Sequence, residues 1–276
     1  MLKSIGFITC WYGPYPWYFP YFIHSCKYNP TVDFILITDN PEVIANKPDN
    51  VKVIYKTLAD IIALASSKLG FRVNIDYPYK LCDFKPAYGF IFNKIIEDYD
   101  FWGQTDVDVI YGNIRDFITD EMLENYDLIS ARHDYVTGSF ALYKNCEKIN
   151  TLFKRSKDYE MVFSNSEHYC FDECNFAFRS LESGISIFEL DTHIESFTEV
   201  VKKVELNGEI KVHFDFIIVE GRPGRIIFDH GRLLYKNIFE GLMYHLILFK
   251  YAFQPSKPVV KIPSRFYISP NRIYHY

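Results

Sequence analysis

The sequence has no apolar run that approaches the roughly 18 to 20 residues of a membrane-spanning helix. The apolar stretch near the N-terminus is short and follows a single lysine, so it does not have the length of a secretory signal peptide. We therefore expect a cytoplasmic protein.

Cysteine is present, but not in a pattern typical of metal sites or disulfides. The six cysteines form no C-x-x-C pair and no closely spaced framework, so we expect reduced, mostly buried thiols. His168, Cys170 and Cys174 are close in the sequence, but a fourth zinc ligand is missing and packing is the favoured interpretation.

The chain also lacks an excess of positive charge. Its formal net charge is −5 at pH 7, which argues against a general nucleic-acid-binding protein, because neutralising phosphates requires a cationic surface. It contains no G-x-x-x-x-G-K-[ST] segment and no glycine-rich loop after the first predicted strand, which argues against a P-loop nucleotide site.

What the sequence does have is enough apolar material for a large core. The chain has 276 residues, of which 49% are hydrophobic, and it shows no internal repeat or low-complexity segment. We expect one globular unit rather than a string of modules. The predicted division is a single domain over residues 1–256 and a basic, aromatic tail over residues 257–276.

Short apolar runs alternate with helical patterns through the first half of the chain. The predicted strands are residues 3–9, 33–38, 51–55 and 101–105. The predicted helices, which have i, i+3, i+4 apolar spacing, are residues 17–28, 58–69 and 83–96. This alternation indicates an α/β fold with a mainly parallel sheet and flanking helices.

The second half of the chain becomes richer in strands. Strands at 127–131 and 138–143 and helices at 147–155 and 172–182 come first. Strands at 212–219, 225–228 and 232–235 follow, and the glycine-containing breaks between them predict a small antiparallel meander. A closing helix at 239–253 and an extended end complete the prediction.

The segment after the fourth predicted strand is Asp106-Val107-Asp108. Open parallel sheets bind ligands at the carboxyl ends of their strands. Two carboxylates spaced i, i+2 there can face one divalent ion, and phosphate oxygens complete the octahedron that Mn²⁺ or Mg²⁺ prefers. The alternative is a pair of solvated turn residues, since D-x-D triplets also occur by chance.

Longer segments surround this triplet. They are YKLCDFKPAYG at residues 79–89, YDFWGQTDVDVIYG at 99–112, and shorter stretches at 126–132, 137–140 and 168–173. Together they resemble a family of bacterial glycosyltransferases found in capsule and O-antigen biosynthesis, over residues 6 to about 250. The resemblance implies a GT-A fold, which is a Rossmann-like α/β domain, together with a nucleotide-diphosphate-sugar donor, usually UDP-linked, and a divalent metal, Mn²⁺ or Mg²⁺.

The resemblance also implies roles for individual residues. Asp108 would be the principal metal ligand, and Asp106 would hold the donor ribose or share the metal. Including residues at the ends of the first two strands, the predicted donor contacts are Thr9, Asp39, Lys80, Asp83, Lys85 and Asp106. A lysine can pair with phosphate and an aspartate can accept from the base or ribose. For Asp83, capping of a helix N-terminus is an equal alternative.

Asp172 and Glu173, at the start of an apparent helix, are the candidates for the base that deprotonates the acceptor, and Asp172 is preferred. Acidic residues are also common in the first turn of any helix, which is the alternative interpretation.

A C-terminal histidine often completes the metal site in this fold. His245 lies in a segment that resembles the family's terminal motif, and His213 and His230 are further candidates, with His230 the main rival. The basic pair that follows the histidine in the family is missing here, although Lys250 could take its place.

Our sequence-based hypothesis is a metal-dependent glycosyltransferase. It would move a hexose from a UDP-sugar to a hydroxyl of a cell-surface glycan precursor, free or lipid-linked, with inversion preferred. The alternatives are a nucleotidyl or phosphoryl transferase, and a non-catalytic glycan-binding protein on the same fold. After Glu240 there is no acidic residue, while cations alternate with aromatics, and peripheral contact with the anionic inner face of the cytoplasmic membrane is one reading of this pattern. A tail that simply wraps the domain is the other reading.

Overall fold

A computed structural model describes residues 2–259 and 261–276. The strands are β1 (Ile5–Trp11), β2 (Val32–Thr38), β3 (Val51–Tyr55), β4 (Phe101–Thr105), β5 (Val109–Tyr111), β6 (Leu128–Ser130), β7 (Phe140–Lys144), β8 (Val212–Phe214), β9 (Ile218–Val219), β10 (Ile226–Asp229), β11 (Arg232–Tyr235), β12 (Phe239–Glu240), β13 (Met243–His245), β14 (Arg265–Ile268) and β15 (Ile273–His275).

The α-helices are α1 (Phe19–Cys26), α2 (Leu58–Leu69), α3 (Tyr88–Ile91), α4 (Ile114–Phe117), α5 (Asp120–Asn125), α6 (Glu147–Asn150), α7 (Tyr159–Ser164), α8 (Phe178–Glu182), α9 (Phe197–Leu206) and α10 (Phe249–Ala252). Helices of the 3-10 type cover Pro78–Ala87, Leu152–Arg155 and Ile187–Glu189. In the described parts of the chain, no helix has the length and apolar character needed to cross a membrane.

A seven-stranded central sheet has the order β3-β2-β1-β4-β7-β6-β8. Its first four strands are parallel, β7 runs antiparallel to both β4 and β6, and β8 is parallel to β6. A separate five-stranded antiparallel sheet has the order β12-β11-β10-β14-β15, and a small third sheet joins β5, β13 and β9. The predicted α/β class, with a mainly parallel sheet and a separate antiparallel sheet, is therefore confirmed.

The strands of the central sheet are apolar on both faces. In β1, Phe7 packs in one core cluster with Phe34 and Tyr111. The next residue, Ile8, packs in a second cluster with Ile35 on the opposite face. Burial on both faces is typical of parallel sheets, and it explains why these strands appear in the sequence as continuous apolar runs.

Helix α2 has the bounds that the sequence predicts, and its ends show why. Thr57 Oγ1 accepts from the Asp60 amide at 3.1 Å, and Asp60 Oδ2 accepts from the Thr57 amide at 2.8 Å, which makes a capping box. Gly70 ends the helix with a φ of 83°, a left-handed conformation that glycine adopts without strain.

The predicted α-helix at residues 83–96 is wrong in type and extent. Pro78–Ala87 forms a 3-10 helix, and only the short α3 follows it. Pro86 has no amide hydrogen to donate, which disfavours a regular α-helix through this position. In a 3-10 helix, residues i and i+3 eclipse one another, and here Lys80 and Asp83 form a buried ion pair of 2.9 Å.

Two further predicted helices are also wrong. Of residues 172–182, only Phe178–Glu182 is helical, because the backbone before it turns through positive φ values at Cys170, Asn175 and Phe176. Of residues 239–253, only Phe249–Ala252 is helical. Met243–His245 is instead a buried strand that pairs with β5, so tertiary pairing overrides the local helical pattern.

The predicted meander is correct only for its second part. β10 and β11 form a hairpin whose turn residues, His230 and Gly231, have φ values of 49° and 90°, as a two-residue turn of the primed type requires. Residues 212–219 lie elsewhere, because β8 extends the central sheet and β9 belongs to the small sheet.

The C-terminal segment predicted to be a separate tail contributes strands to the antiparallel sheet. β14 pairs with β10, and β15 pairs with β14. Phe266 is fully buried and stacks on Phe228 with 4.8 Å between ring centroids. The tail therefore wraps the domain and is part of its core.

Replacing Phe266 by alanine should lower the free energy of unfolding by about 3 to 5 kcal/mol, since it removes a buried ring and leaves a cavity. Tyr276→Ala is the matched control, because Tyr276 is 78% exposed. Chemical denaturation measures both variants. Equal stability of the Phe266 variant and the control would contradict a structural role for this segment.

Candidate metal and carboxylate site

Asp106 and Asp108 lie in the turn between β4 and β5, at the carboxyl end of a parallel strand. Val107 between them is buried at 3% exposure in the apolar core, which anchors the turn. Asp108 is buried, whereas the Asp106 side chain is 32% exposed. One carboxylate is thus fixed inside the site, and the other stands at its rim.

His245 reaches the same place from far along the chain. β13 pairs antiparallel with β5 so that His245 lies opposite Val109, and the Leu246 amide donates to the Asp108 carbonyl at 2.8 Å. Ligand atoms of Asp106, Asp108 and His245 all lie within 4.8 Å of one another. The three residues therefore form a cluster that could hold a metal ion, as the sequence predicts.

The rival histidines do not join this cluster. His230 is in the β10–β11 turn, where its side chain is 69% exposed and bonds Asp229 at 2.6 Å. His213 lies in β8, with Asp215 at 3.8 Å. Of the three candidates, only His245 is placed as a third ligand.

Three further charged side chains, Lys250, Glu220 and Arg132, lie around the cluster. Lys250 Nζ donates to Asp108 Oδ2 at 2.7 Å, which places the predicted substitute for the missing basic pair at the site. Glu220 Oε1 lies 3.1 Å from His245 Nδ1. Arg132 Nη1 donates to Glu220 Oε2 at 2.6 Å and also binds Asp134 through two bonds.

Glu220 and Arg132 were missed by sequence reasoning. Glu220 follows β9, which pairs in parallel with β13, and this pairing brings it beside His245. Neither residue lies in a local motif that would indicate metal chemistry. Their contact emerges only where the small third sheet, which carries Glu220 beyond β9, meets the end of β6 beside Arg132.

The electrostatics of the cluster favour a charged carboxylate. Burial alone would raise the pKa of Asp108, but His245 and Lys250 outweigh it and hold the pKa well below its usual range. Burial would lower the pKa of His245, whereas Asp108 and Glu220 raise it to about 10. Two carboxylates and one neutral imidazole match the oxygen and nitrogen donors that Mn²⁺ accepts. The residues present fit a divalent cation that takes the place of the proton on His245 Nε2, since metal binding releases the protons of its ligands.

Lys85 connects the metal cluster to the second pair of carboxylates. Its Nζ donates to Asp106 Oδ1 at 2.7 Å and to the Gly138 carbonyl at 2.9 Å, and lies 4.0 Å from Asp172 Oδ2. Burial would lower the pKa of Lys85, but the surrounding carboxylates, Asp106 first, raise it well above its usual value. A permanent cation therefore lies between Asp106 and Asp172.

Asp172 and Glu173 lie in a turn rather than at the start of a helix. Asp172 is 3% exposed, and burial raises its pKa well above the usual range, with the nearby Glu173 adding to the rise. Glu173 Oε1 accepts from the Gly138 amide at 2.7 Å, which ties this loop to the end of the central sheet. Burial also raises the pKa of Glu173.

Gly138 is required where these groups meet. A Cβ atom at this position would lie 2.5 Å from Asp172 Oδ2 and 3.3 Å from Lys85 Nζ. Gly138→Ala should therefore displace the Asp172 carboxylate and lower the free energy of unfolding by about 1 to 3 kcal/mol. Ser164→Ala, at an exposed position, is the control in chemical denaturation. Unchanged stability of the Gly138 variant would mean that the Asp172 side chain does not pack against this glycine.

Lys80 and Asp83 have no exposed side-chain area, which does not support their predicted contacts with a donor. Lys80 Nζ donates to the carbonyls of Val162 and Glu167. Asp83 accepts from the backbone amides of residues 169 and 171 at 3.0 and 2.8 Å. The pair holds the loop that leads to Asp172, so its evident role is to shape that loop.

The other two predicted donor contacts lie at the first strands. Thr9 is buried within β1, which extends two residues beyond it to Trp11. Asp39 is exposed directly after β2, and its Oδ1 accepts from the Gly13 amide at 3.1 Å. Of the two, Asp39 lies at a strand end and is open to a ligand.

The fold and site together define a mixed α/β protein with an Asp-Asp-His cluster that could bind a metal ion at the carboxyl end of its central sheet. Residues 7–276 match the model of the Family of unknown function (DUF6625), so the chain belongs to that family. A comparison with curated proteins finds no match.

Proposed function

We propose that this protein is a metal-dependent glycosyltransferase of the GT-A type. It would transfer a hexose from a UDP-sugar to a hydroxyl of a cell-surface glycan precursor. The observation that carries this proposal is the meeting of Asp106, Asp108 and His245 at the carboxyl end of β4. Asp172 lies on the far side of Lys85 from this cluster.

Asp106, Asp108 and His245 would hold Mn²⁺ or Mg²⁺. A divalent ion there would neutralise the diphosphate of the donor as it leaves. Lys250 and Lys85, both now paired with the aspartates, are the cations of this chain best placed to contact phosphate oxygens. Their pairing in this structure keeps them pre-positioned at the cluster.

Asp172 would act as the general base. The acceptor oxygen attacks the anomeric carbon, the bond from that carbon to the diphosphate oxygen breaks, UDP leaves, and the acceptor proton passes to Asp172. Burial raises the pKa of Asp172, which makes its carboxylate a stronger base than an ordinary aspartate. A single displacement of this kind inverts the anomeric configuration, which is the stereochemistry we favour.

A screen of UDP-sugars by thermal shift tests the proposal. A rise in the unfolding temperature with UDP-sugar and Mn²⁺ together, abolished by EDTA, is expected because only the folded protein binds the pair. Stabilisation by a nucleoside triphosphate alone would favour a nucleotidyl or phosphoryl transferase. Stabilisation by glycans without any nucleotide would favour a glycan-binding protein.

Glu220 should control the affinity of the metal site through His245. Glu220→Ala removes the acceptor that fixes the imidazole, so the affinity for Mn²⁺ should fall by about 10- to 100-fold. Glu220→Gln keeps an oxygen that can accept from His245 Nδ1, so this variant should lose less of its affinity for Mn²⁺. Isothermal titration with Mn²⁺ measures both variants.

Glu182→Ala is the matched control, because Glu182 contacts the same Arg132 at 3.3 Å but its side chain is 55% exposed. The control should bind Mn²⁺ as the wild type does. If Glu220→Ala also binds Mn²⁺ with wild-type affinity, His245 is not held by Glu220 for metal binding.

The expected contact with an anionic membrane remains a proposal that rests on surface charge. The cations of the C-terminal segment are exposed, and they are Lys257, Lys261, Arg265 and Arg272. Each basic residue near an anionic bilayer contributes about 1 kcal/mol of attraction. A peripheral position at the inner face of the cytoplasmic membrane would bring the enzyme to a lipid-linked glycan acceptor.

A further inference from the structure

Three aromatic side chains form a row beside the loop that carries Asp172 and Glu173. The ring centroids of Tyr79 and His168 are 4.8 Å apart, and those of His168 and Phe176 are 5.6 Å apart, both with edge-on geometry. The His168 side chain is only 12% exposed, whereas Tyr79 and Phe176 are 64% and 57% exposed. This aromatic row of Tyr79, His168 and Phe176 therefore exposes the rings of Tyr79 and Phe176 to solvent on either side of the largely buried His168.

The exposed position of Phe176 is held by the backbone. Phe176 has a φ of 64° and Asn175 a φ of 51°, which is the left-handed conformation that a bulky side chain rarely adopts. Asn175 stabilises it, since its Nδ2 donates to the Tyr169 carbonyl at 2.8 Å and its Oδ1 accepts from the His193 amide at 2.9 Å. Strained, outward-facing residues of this kind cluster at functional sites.

The Lys80–Asp83 pair fixes the centre of the aromatic row. His168 Nδ1 lies 3.1 Å from Asp83 Oδ1. The same carboxylate accepts from the amides of Tyr169 and Phe171. One buried ion pair thus positions both the aromatic row and the segment that continues into Asp172.

The row joins the two segments that meet at the candidate base. Tyr79 lies in the 3-10 helix Pro78–Ala87, which also carries Lys85, and Lys85 Nζ is 4.0 Å from Asp172 Oδ2. Phe176 follows Asp172 by four positions within the same turn. The two exposed rings therefore lie on the 3-10 helix and on the turn that meet at the candidate base.

We propose that Tyr79 and Phe176 form the acceptor subsite, a platform on which a pyranose ring of the glycan acceptor stacks with a hydroxyl directed towards Asp172. This inference rests on the proposed glycosyltransferase function. A sugar presents a face of C–H groups that packs on aromatic rings, and an edge of hydroxyls that carboxylates can bind. An anionic lipid headgroup fits less well, because Asp172, Glu173 and Asp106 all stand nearby.

Saturation-transfer NMR tests the subsite with a panel of methyl hexopyranosides and disaccharides, in the presence of UDP and Mn²⁺. Tyr79→Ala and Phe176→Asn should each raise the dissociation constant of the bound sugar by about threefold to tenfold, the usual range for an aromatic contact. Asparagine is chosen at 176 because it tolerates the left-handed backbone. Phe176→Tyr, which keeps the ring, should restore binding.

Phe239→Ala is the matched control, since Phe239 is 61% exposed but lies in the antiparallel sheet. The control should bind sugar normally, and all variants should bind UDP with wild-type affinity. Unchanged sugar affinity in Tyr79→Ala and Phe176→Asn would overturn the subsite, as would a wild type that binds UDP but none of the sugars. If the two variants keep their sugar affinity but sediment less with phosphatidylglycerol vesicles than the wild type does, the rings form a membrane contact and the subsite is overturned. A wild type that binds no UDP would overturn the proposed function itself.

Discussion

Replacing Asp108 by asparagine is expected to abolish Mn²⁺-dependent binding of UDP. Asp108 Oδ2 is the atom on which Lys250 and His245 converge, at 2.7 and 3.6 Å, so the amide removes both a ligand oxygen and the charge that organises the cluster. The dissociation constant of UDP with Mn²⁺ should rise by more than about 100-fold. This exceeds the loss of about 10- to 100-fold expected when a residue that only orients a metal ligand is removed. Isothermal titration of UDP with and without Mn²⁺ measures the change.

Asp49→Asn serves as the control for charge loss, because Asp49 is exposed and remote in the fold from β4. The circular dichroism spectrum of the Asp108 variant should match that of the wild type, since asparagine has nearly the same volume. Metal-dependent UDP binding of wild-type strength in a folded Asp108→Asn protein would remove Asp108 from the metal site.

Asp172→Asn should leave donor affinity unchanged and lower kcat by about 100-fold or more, the usual scale for a general base. Asparagine fills the same buried space beside Lys85 but cannot accept a proton. Steady-state release of UDP in the presence of an acceptor gives kcat, and titration with UDP gives the donor affinity.

Glu173→Gln distinguishes the two carboxylates. Glu173 Oε1 already accepts from the Gly138 amide, so its variant should affect kcat less than the Asp172 variant. The reverse order would make Glu173 the base. Loss of UDP binding in Asp172→Asn would instead assign Asp172 to the donor or metal site.

The parts of the fold that sequence could predict are those set by local pattern. β3, β4 and α2 have the predicted bounds because short segments rich in β-branched and aromatic residues, a capping box and a terminal glycine define them within a few residues. The D-x-D pair could be placed for the same reason, since it directly follows an apolar strand.

The parts that could not be predicted depend on contacts distant in the sequence. β13 has a helical pattern, but pairing with β5 makes it a strand and brings His245 to Asp108. Lys80 and Asp83 are predicted to contact a donor, yet both side chains are buried. A 3-10 helix stacks them on one face, and backbone groups 82 or more residues away accept from or donate to them. Glu220 carries no local signal, and Arg132, although it ends the stretch at 126–132 that resembles the glycosyltransferase family, has no local feature that indicates its contact with Glu220.

The C-terminal segment is another part of the fold that depends on a contact distant in the sequence. Alternating cations and aromatics predict an extended tail, but the aromatic and aliphatic positions Phe266 and Ile268 alternate into the core of the antiparallel sheet. A period of two indicates a strand, whereas the partner strand β10 can be identified only from the structure.

Release of free nucleotide from UDP-hexoses, with water as the acceptor of the hexose, is followed with Mn²⁺ and then with EDTA to show whether the reaction depends on the metal. The wild type is expected to release UDP in the presence of Mn²⁺ and to stop in EDTA, because Asp106, Asp108 and His245 are proposed to bind the ion that holds the leaving diphosphate. Release of UMP in place of UDP would indicate cleavage within the diphosphate rather than glycosyl transfer. UDP release that continues at the same rate in EDTA would contradict the metal-dependent mechanism.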